Sequence, residues 1–515
     1  MWHDSLRAER CADKSTARER AARQAAGSAG APCTVSRPNE ADGIPSRRAL
    51  ALAYGLRQML PLQTNTNLLT VAHSILRALR YAPNAYKARE RTCSRYPRFP
   101  PYSSMSTIVL LNSLHLKGSK IHTASDIRRV LVLDANQRSA LAVIRSLGRR
   151  GLTIVAADTA TNSLGAASRH TSYSTLYSNP ATSPAAFVDD IVAMVQRLSI
   201  DTVISATDLT TMLLASQPNL SRIVRLMAPE RASYENLTDK ARLTEFAGRL
   251  GIPVPATQIA GTAAATIAAA HEIGFPVVLK PARSRYLKGT EIVSTSVEIV
   301  ENPGRLSAIL DRSKWLADIP CLVQRFIPGH GAGIFALYAS SRPVAWFAHR
   351  RIREKPPAGG VSVLCESAPI DPVMQAAAAK LLGAAELTGA AMVEFRVATD
   401  GTPYLMEVNC RFWGSLQLAI DCGVDFPWLL YQITQGLPVG EPQPYLVGRR
   451  LRWLLGDLDS LIIQLRQGQS TSRDKARAVG AFLRSFADPF CRQEILRLSD
   501  PAPAIREIAN WLKAL

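Results

Sequence analysis

The chain has 515 residues, 47% of them hydrophobic and 20% charged, with a formal net charge of +20. That is enough apolar sequence for about two to four domains built on real cores. The longest apolar runs, such as Ser139–Ile144 and Met212–Ala215, fall far short of a membrane-spanning helix, so none is expected. The eight cysteines are scattered without a CxxC pair, which argues against a zinc site or disulfide framework and fits a reducing cytoplasm.

Half of the charge excess lies in residues 1–104, a stretch rich in Ala, Arg, Ser and Pro. Two apolar patches there, Ala49–Leu62 and Leu68–Leu79, could form amphipathic helices. The preferred reading of residues 1–127 is a basic, disordered extension, or an over-extended start with initiation nearer Met105. A targeting segment is opposed by Asp4, Glu9, Asp13 and Glu19. A nucleic-acid-binding arm is not expected, because no aromatic residues are interleaved with the basic ones.

From residue 128 to 235 short apolar strands alternate with helices, as in a small doubly wound α/β domain. Strands are predicted at Arg129–Ala135, Leu152–Asp158 and Thr202–Asp208, with helices at Arg138–Arg150 and Phe187–Leu198. The first strand-to-helix turn, Asp134 to Arg138, has no GxGxxG, so dinucleotide binding is rejected despite Asp158. Asp134, Asp158 and Asp208 end strands, where each is either a cleft residue or a helix cap.

Residues 236–328 read as a small lobe. Asp239-Lys240 opens a helix running to Leu250, and Thr262–Ile273 is another. Gly274–Pro281 is an apolar strand that delivers Lys280 at its end, where Pro281 blocks a helix. The basic segment Ala282–Gly289 is expected to be a loop suited to closing over phosphates. Pro320–Gly329 is a strand running into a turn, a hinge towards the next lobe.

Residues 329–445 form the larger lobe, with strands around Phe335–Tyr338 and Val344–Arg350 and a helix at Pro372–Leu387. Glu354–Gly360, with two prolines and two glycines, is predicted to be a mobile lid. Ala391–Val397 and Pro403–Asn409 read as two strands joined by a two-residue turn at Asp400-Gly401. That turn puts Glu394 opposite Glu407, with Asn409 on the same face and Val393, Phe395, Val397, Tyr404, Met406 and Val408 on the buried one. Two opposed carboxylates repel unless a cation lies between them, and with an amide oxygen they make a hard site suited to Mg²⁺. A solvated strand face is the plainer alternative. Cys410 alternates to the other face and is expected to pack rather than react. Residues 446–515 read as a basic helical C-terminal cap broken at Asp500–Pro503.

Taken in order, Asp239-Lys240, Gly251–Pro255, Pro276–Pro281, Val323–Gly329, Val393–Phe395 and Met406–Arg411 resemble the ATP-grasp superfamily. That superfamily includes biotin carboxylase, D-alanine–D-alanine ligase and the carbamoyl-phosphate synthetase large subunit. The tail, Leu451–Trp453 and Gly456–Asp459, is similar to carboxylate–amine ligases of the group. The resemblance covers about residues 129–440 and implies a mixed α/β and α+β chain: a doubly wound N-terminal domain, a two-lobed grasp and a helical cap. It implies ATP and Mg²⁺ (or Mn²⁺) as cofactors, with a small-molecule carboxylate and an amine as substrates. A homo-oligomer is compatible with it.

Carried over by position, the resemblance gives Lys240 and Lys280 to the nucleotide phosphates, with Ser284, Lys288 and Gly289 in the loop above them. That loop has one glycine where the superfamily has several. Gln324, Arg325, Phe326 and Ile327 match the adenine-contacting strand, and His330 stands where a ribose-binding acid is expected. Glu394, Glu407 and Asn409 match the metal ligands, and Arg411 the arginine that steadies the acyl-phosphate. Asp208, Arg350, Arg351, Gly359 and Gly360 are assigned more loosely to substrate or lid. The expected activity is ATP-dependent ligation of a carboxylate to an amine through an acyl-phosphate. The alternatives are bicarbonate activation, opposed by the single grasp unit and the lack of a biotinyl site, and a silent ATP-binding regulator.

Overall fold

Buried β-rich runs decide the first sheet. In the computed structural model of the chain, which describes residues 128–514 except 284, 290, 358–359, 442 and 467–470, five parallel strands pack edge to edge. Their spatial order is Tyr173–Leu176, Thr153–Asp158, Arg129–Val132, Thr202–Ile204 and Arg225–Leu226. The expected extension 1–127, with its two candidate helices, lies outside the described residues, as do Ser284 and Gly359. Val130, Leu131 and Val132 on the central strand are fully buried, as a strand covered on both faces requires. The carboxylates ending this sheet are mostly structural. Asp134, at φ 55°, accepts from the amides of Ala206 and Thr207 at 2.9 Å and from Thr210 Oγ1 at 2.5 Å. Asp158 accepts from the amides of Asn136 and Ala160.

The small lobe is a four-stranded antiparallel sheet in the order Glu298–Val300, Val277–Pro281, Cys321–Arg325, Thr257–Ala260. Helices Ala263–Ile273 and Pro303–Arg312 cover it, closing a core around Leu279, Val323 and Leu306. The segment expected as a phosphate loop is instead largely a β-hairpin: Arg285–Lys288 pairs with Glu291–Ser294, and Gly289 turns between them at φ 62°. Tyr286-Leu287 and Ile292-Val293 give both arms strand propensity, which a glycine-rich loop would lack.

The large lobe is a seven-stranded sheet ordered Pro403–Asn409, Gly389–Ala398, Gly329–Ala339, Arg342–Lys355, Val361–Ser367, Arg450–Arg452, Cys491–Gln493. One face packs on helix Pro372–Ala384 through Ile334, Ala336 and Tyr338. Phe335, Leu337 and Phe347 on the other face share a core with helix Arg138–Gly148 of the first sheet. The C-terminal region does more than cap. Besides helices Leu454–Arg466, Ser472–Arg484 and Ala502–Ala514 it contributes the last two strands. Its helices also hold the start of the segment expected to be a lid. Strand Arg342–Lys355 runs through Glu354, whose carbonyl takes Ser460 Oγ at 2.7 Å, while Lys355 Nζ lies 2.5 Å from Asp459. The start of that turn is therefore pinned rather than free. No described helix is long and apolar enough to cross a membrane.

Candidate functional site

The hairpin Gly389–Ala398 and Pro403–Asn409 sets Glu394 opposite Glu407, and Met392 opposite Asn409. It reaches that register by two departures that cancel. The turn spans three residues, not two: Ala398 and Thr402 close it through Ala398 N–H to Thr402 O (2.9 Å), with Gly401 at φ 87°. A bulge between Glu394 and Phe395 then skips Met406 and restores the pairing. The bulge also corrects the buried face. Leu405, 3% exposed, enters the core instead of Tyr404 or Met406, and Met406 Sδ lies 3.7 Å from Lys280 Nζ.

Cationic side chains from three elements converge on these carboxylates. Asp239 caps helix Lys240–Arg249 by accepting from the amides of Ala241 and Arg242. Lys240 is thereby fixed on the first turn, with Nζ 3.6 Å from Glu407 Oε2. Lys280 arrives from the small-lobe strand, and burial pushes its ammonium down to about 8, with Lys240 adding and Glu407 opposing. On the other side Arg351 Nη2 donates to Glu394 Oε2 at 2.8 Å and Nη1 to Glu354 Oε1 at 3.0 Å. Arg411 Nη2 lies 3.4 Å from Asn409 Oδ1, and its Nε forms a 2.8 Å ion pair with Asp208, too poorly aligned for a hydrogen bond. The two carboxylates respond oppositely. Burial and the charge of Glu407 raise the pKa of Glu394. For Glu407 burial also pushes upward, but Lys240, Asn409, Lys280 and Arg411 outweigh it and hold the group low.

The chemistry of this donor set fits a hard divalent cation. Asn409 Nδ2 donates to Glu394 Oε1 at 3.3 Å and to Glu407 Oε1 at 3.2 Å, so a positively polarised group already stands between the two oxygens. Rotating that amide by half a turn would present Oδ1 instead, giving an all-oxygen set for Mg²⁺ or Mn²⁺. Among the described residues no group of three or more His, Cys, Asp or Glu gathers in a metal-holding cluster, and here the third oxygen would come from the Asn409 amide.

The remaining candidates divide between neighbours of this cluster and residues engaged away from it. Gln324 is buried beside the cleft strand and donates to Thr257 Oγ1 at 2.9 Å. The amides of Arg325 and Phe326 pair with Ala256 and Pro276 across the small lobe, and the Ile327 carbonyl takes Arg396 Nε at 3.1 Å. His330 is exposed at the start of the next strand, paired with Val397. Lys288 is bound at 2.8 Å to both oxygens of Asp318, and Gly289 only turns its hairpin. Arg350 pairs with Glu366 rather than with the central carboxylates. The Gly360 carbonyl lies 3.5 Å from Arg351 Nη1, and a Cβ there would sit 2.3 Å from the Lys355 carbonyl. Cys410 is buried in an apolar cluster, its thiol pushed up by burial. Sequence places Glu354 at the start of the lid and Met406 on the buried face, neither among the site residues. The run Arg350-Arg351-Ile352-Arg353-Glu354 held the only hint, an acid beside a run of arginines.

Residues 317–455 match the family model described as ATP-grasp in the biosynthetic pathway with Ter operon. Among curated proteins the chain is 30% identical over 115 residues to the uncharacterised protein y4rH of Sinorhizobium fredii (strain NBRC 101917 / NGR234). That match covers 22% of this chain and 24% of the relative, so the chain spans about a quarter of that protein's length. Among solved structures it is similar to a biotin carboxylase–beta-gamma-ATP complex from Campylobacter jejuni. The TM-score is 0.51 at 17% identity, covering 64% of this chain and 75% of that one. It is also similar to pyruvate carboxylase from Rhizobium etli, with a TM-score of 0.50 at 18% identity over 63% of this chain and 30% of that one. At these identities the likeness concerns the fold.

Proposed function

We propose that this chain, whose residues 317–455 match an ATP-grasp family model, is an ATP- and Mg²⁺-dependent ligase that activates a carboxylate as an acyl-phosphate and couples it to an amine. The observation carrying the proposal is the in-register pair Glu394 and Glu407, with Asn409 between them and cations on both sides. Two opposed, half-buried carboxylates have no evident structural use on such a floor; a nucleotide cleft has one. Glu394, Glu407 and Asn409 would hold the metal, which when bound neutralises phosphate charge and aligns the transferring group.

This chain's own residues do the rest. Lys240 and Lys280, both beside Glu407, bind the nucleotide phosphates. The segment Gln324 to Ile327 lies against adenine, with His330 near the ribose. Arg411, steadied by Asp208 and Asn409, faces the transferred phosphoryl. An oxygen of the substrate carboxylate attacks the γ-phosphorus as the bond to the bridging oxygen breaks, and ADP leaves. The amine nitrogen then attacks the acyl carbon, the carbon–oxygen bond to phosphate breaks, and the nitrogen loses a proton. Every species in the first step is anionic, so the concentration of cations here is the main catalytic means. No side-chain nucleophile is required.

The test is phosphate release from ATP across a panel of carboxylates paired with amines, with Glu407→Ala as control. Release that depends on Mg²⁺ and on one acid–amine pair, and falls by about 100-fold or more in the variant, supports the proposal. Undiminished turnover in Glu407→Ala would sink the metal assignment. MgATP binding without turnover for any pair would favour a regulator.

A further inference from the structure

We propose that Asp208 receives the amine: its carboxylate holds the incoming ammonium beside Arg411 and accepts the proton that the nitrogen sheds as it attacks the acyl-phosphate. The assignment rests on the ligase reading above.

The chemistry asks for an acid at this place. Amines of ordinary basicity are cations near neutral pH, and a floor carrying Lys240, Lys280, Arg351 and Arg411 repels them. The attacking nitrogen must also lose a proton as its bond to carbon forms. The acids that meet those cations are Glu394, Glu407, Glu354 and Asp208. Glu394 and Glu407 are taken by the metal in the ligase reading. Glu354 is engaged by Arg351, on a strand end pinned to the C-terminal helices. Asp208 remains. Its side chain is the most exposed of these, 42% against 36% for Glu407, 25% for Glu354 and 22% for Glu394.

The fold also treats Asp208 unlike the other acids at the strand ends of the first sheet. Asp134 is consumed by the amides of Ala206 and Thr207 and by Thr210, and Asp158 by the amides of Asn136 and Ala160. Asp208 follows strand Thr202–Ile204 at the same end of that sheet, where open α/β sheets take ligands. It is not the cap of its helix, Asp208–Ala215, because Thr207 fills that role by accepting from the Thr210 amide. Its backbone is fixed, since Tyr234 Oη donates to the Asp208 carbonyl at 2.9 Å. Its carboxylate is not. Among the described residues only Arg411 reaches it, at Oδ1, by the misaligned 2.8 Å contact that leaves the buried Arg411 Nε without a hydrogen bond. A pair serving only to clamp the first domain to the large lobe has no need of a misaligned, half-exposed acid.

Arg411 follows the hairpin strand that carries Glu407 and Asn409 and faces the transferred phosphoryl in that reading, so an amine held at Asp208 lies next to the acyl-phosphate. The ammonium held there gives one proton to solvent, which frees the nitrogen's lone pair. That pair forms the bond to the acyl carbon, and the carbon–oxygen bond breaks with its electrons leaving on phosphate. The second proton passes from nitrogen to Asp208, which hands it to the departing phosphate.

The test compares two kinds of nucleophile on the full chain with MgATP. The acids are acetate, succinate, L-alanine and L-glutamate. The cationic nucleophiles are methylamine and putrescine. Hydroxylamine is the contrast, being uncharged near neutral pH and able to trap an acyl-phosphate as hydroxamate without a base. In Asp208→Asn and, separately, Asp208→Ser, amide formation with the cationic amine should fall by about 100-fold or more in kcat/KM. Hydroxamate formation should fall by no more than about tenfold, the part owed to looser support of Arg411. Calorimetric MgADP affinity and the thermal midpoint report that each variant is folded. Equal losses with both kinds of nucleophile, which is what mere support of Arg411 predicts, overturn this assignment alone. So does a loss of amide formation under about tenfold. A wild type that binds MgADP yet yields neither hydroxamate nor amide from these acids overturns the ligase reading, and the role of Asp208 with it.

Discussion

Replacing Glu394 by Gln should stabilise the metal-free protein, whereas the same change at Glu407 should destabilise it. Both carboxylates approach Asn409 Nδ2, at 3.3 and 3.2 Å, so their Oε1 atoms are no more than about 6.5 Å apart and repel by at least about 2.5 kcal/mol at an effective dielectric near 20. Their partners are unequal. Arg351 keeps Glu354 when Glu394 loses its charge, but Lys240 and Lys280 both depend on Glu407. Burial and Glu407 together outweigh the Arg351 pair, which leaves the Glu394 charge a net cost, so Glu394→Gln should gain on the order of 1 kcal/mol, or roughly 2–4 °C in midpoint. The raised pKa of Glu394 means that its charge costs stability above the ordinary carboxylate value of 4.5, so the gain should vanish as pH falls below it. Differential scanning calorimetry in EDTA, and then with Mg²⁺ and ADP, reads both effects. The wild type should rise in midpoint on adding Mg²⁺ and ADP and Glu394→Gln should respond far less. A Glu394→Gln protein that melts below the wild type in EDTA, or gains as much from Mg²⁺ and ADP, refutes the reasoning.

Lys280→Met should weaken ADP binding by about tenfold or more, read by calorimetry, because a buried ammonium is exchanged for an apolar chain where phosphates are expected. It should also raise the midpoint of the nucleotide-free protein at pH 7, since burial holds the Lys280 pKa at about 8 and its charge is a cost below that pH. His349 is buried against Phe335, and burial, with Arg351 nearby, pushes its ring down to about 3. Its folded pKa is depressed, so it contributes stability above pH 6.5 that is lost on acidification. Relative to His349→Gln, the wild type should lose about 2 kcal/mol between pH 6.5 and 5 in urea titrations. Asp457→Ala should cost about 3–5 kcal/mol in the same assay, because it strands the fully buried Arg452 together with Arg353. A loss under 1 kcal/mol, roughly the worth of an exposed pair, would contradict that.

Strands with buried, β-branched runs were readable because packing and propensity agree there: Arg129–Val132, Val277–Pro281 and Cys321–Arg325 fall inside their expected ranges. Tyr173–Leu176 and Cys491–Gln493 were not, since both are short, polar edge strands whose pairing is decided by neighbours far away in sequence. The Glu394–Glu407 pairing was legible from the Asp400-Gly401 hairpin signal, although the turn spans three residues and a bulge restores the register. Neither bulge, at Met406 or at Ile352, has a local signal, because nothing in those residues says that the partner strand is one residue short. That is why Met406 was expected in the core. The pinning of Glu354 and Lys355 depends on Asp459 and Ser460, about a hundred positions onward, a contact that composition cannot foresee.

The most direct test of the metal-holding floor is electron paramagnetic resonance of Mn²⁺ added to the full chain, with and without ADP. Expected is an ADP-dependent bound Mn²⁺ signal in the wild type, weakened by about tenfold or more in Glu407→Ala and in Glu394→Gln. Bound Mn²⁺ unchanged by both substitutions would contradict it.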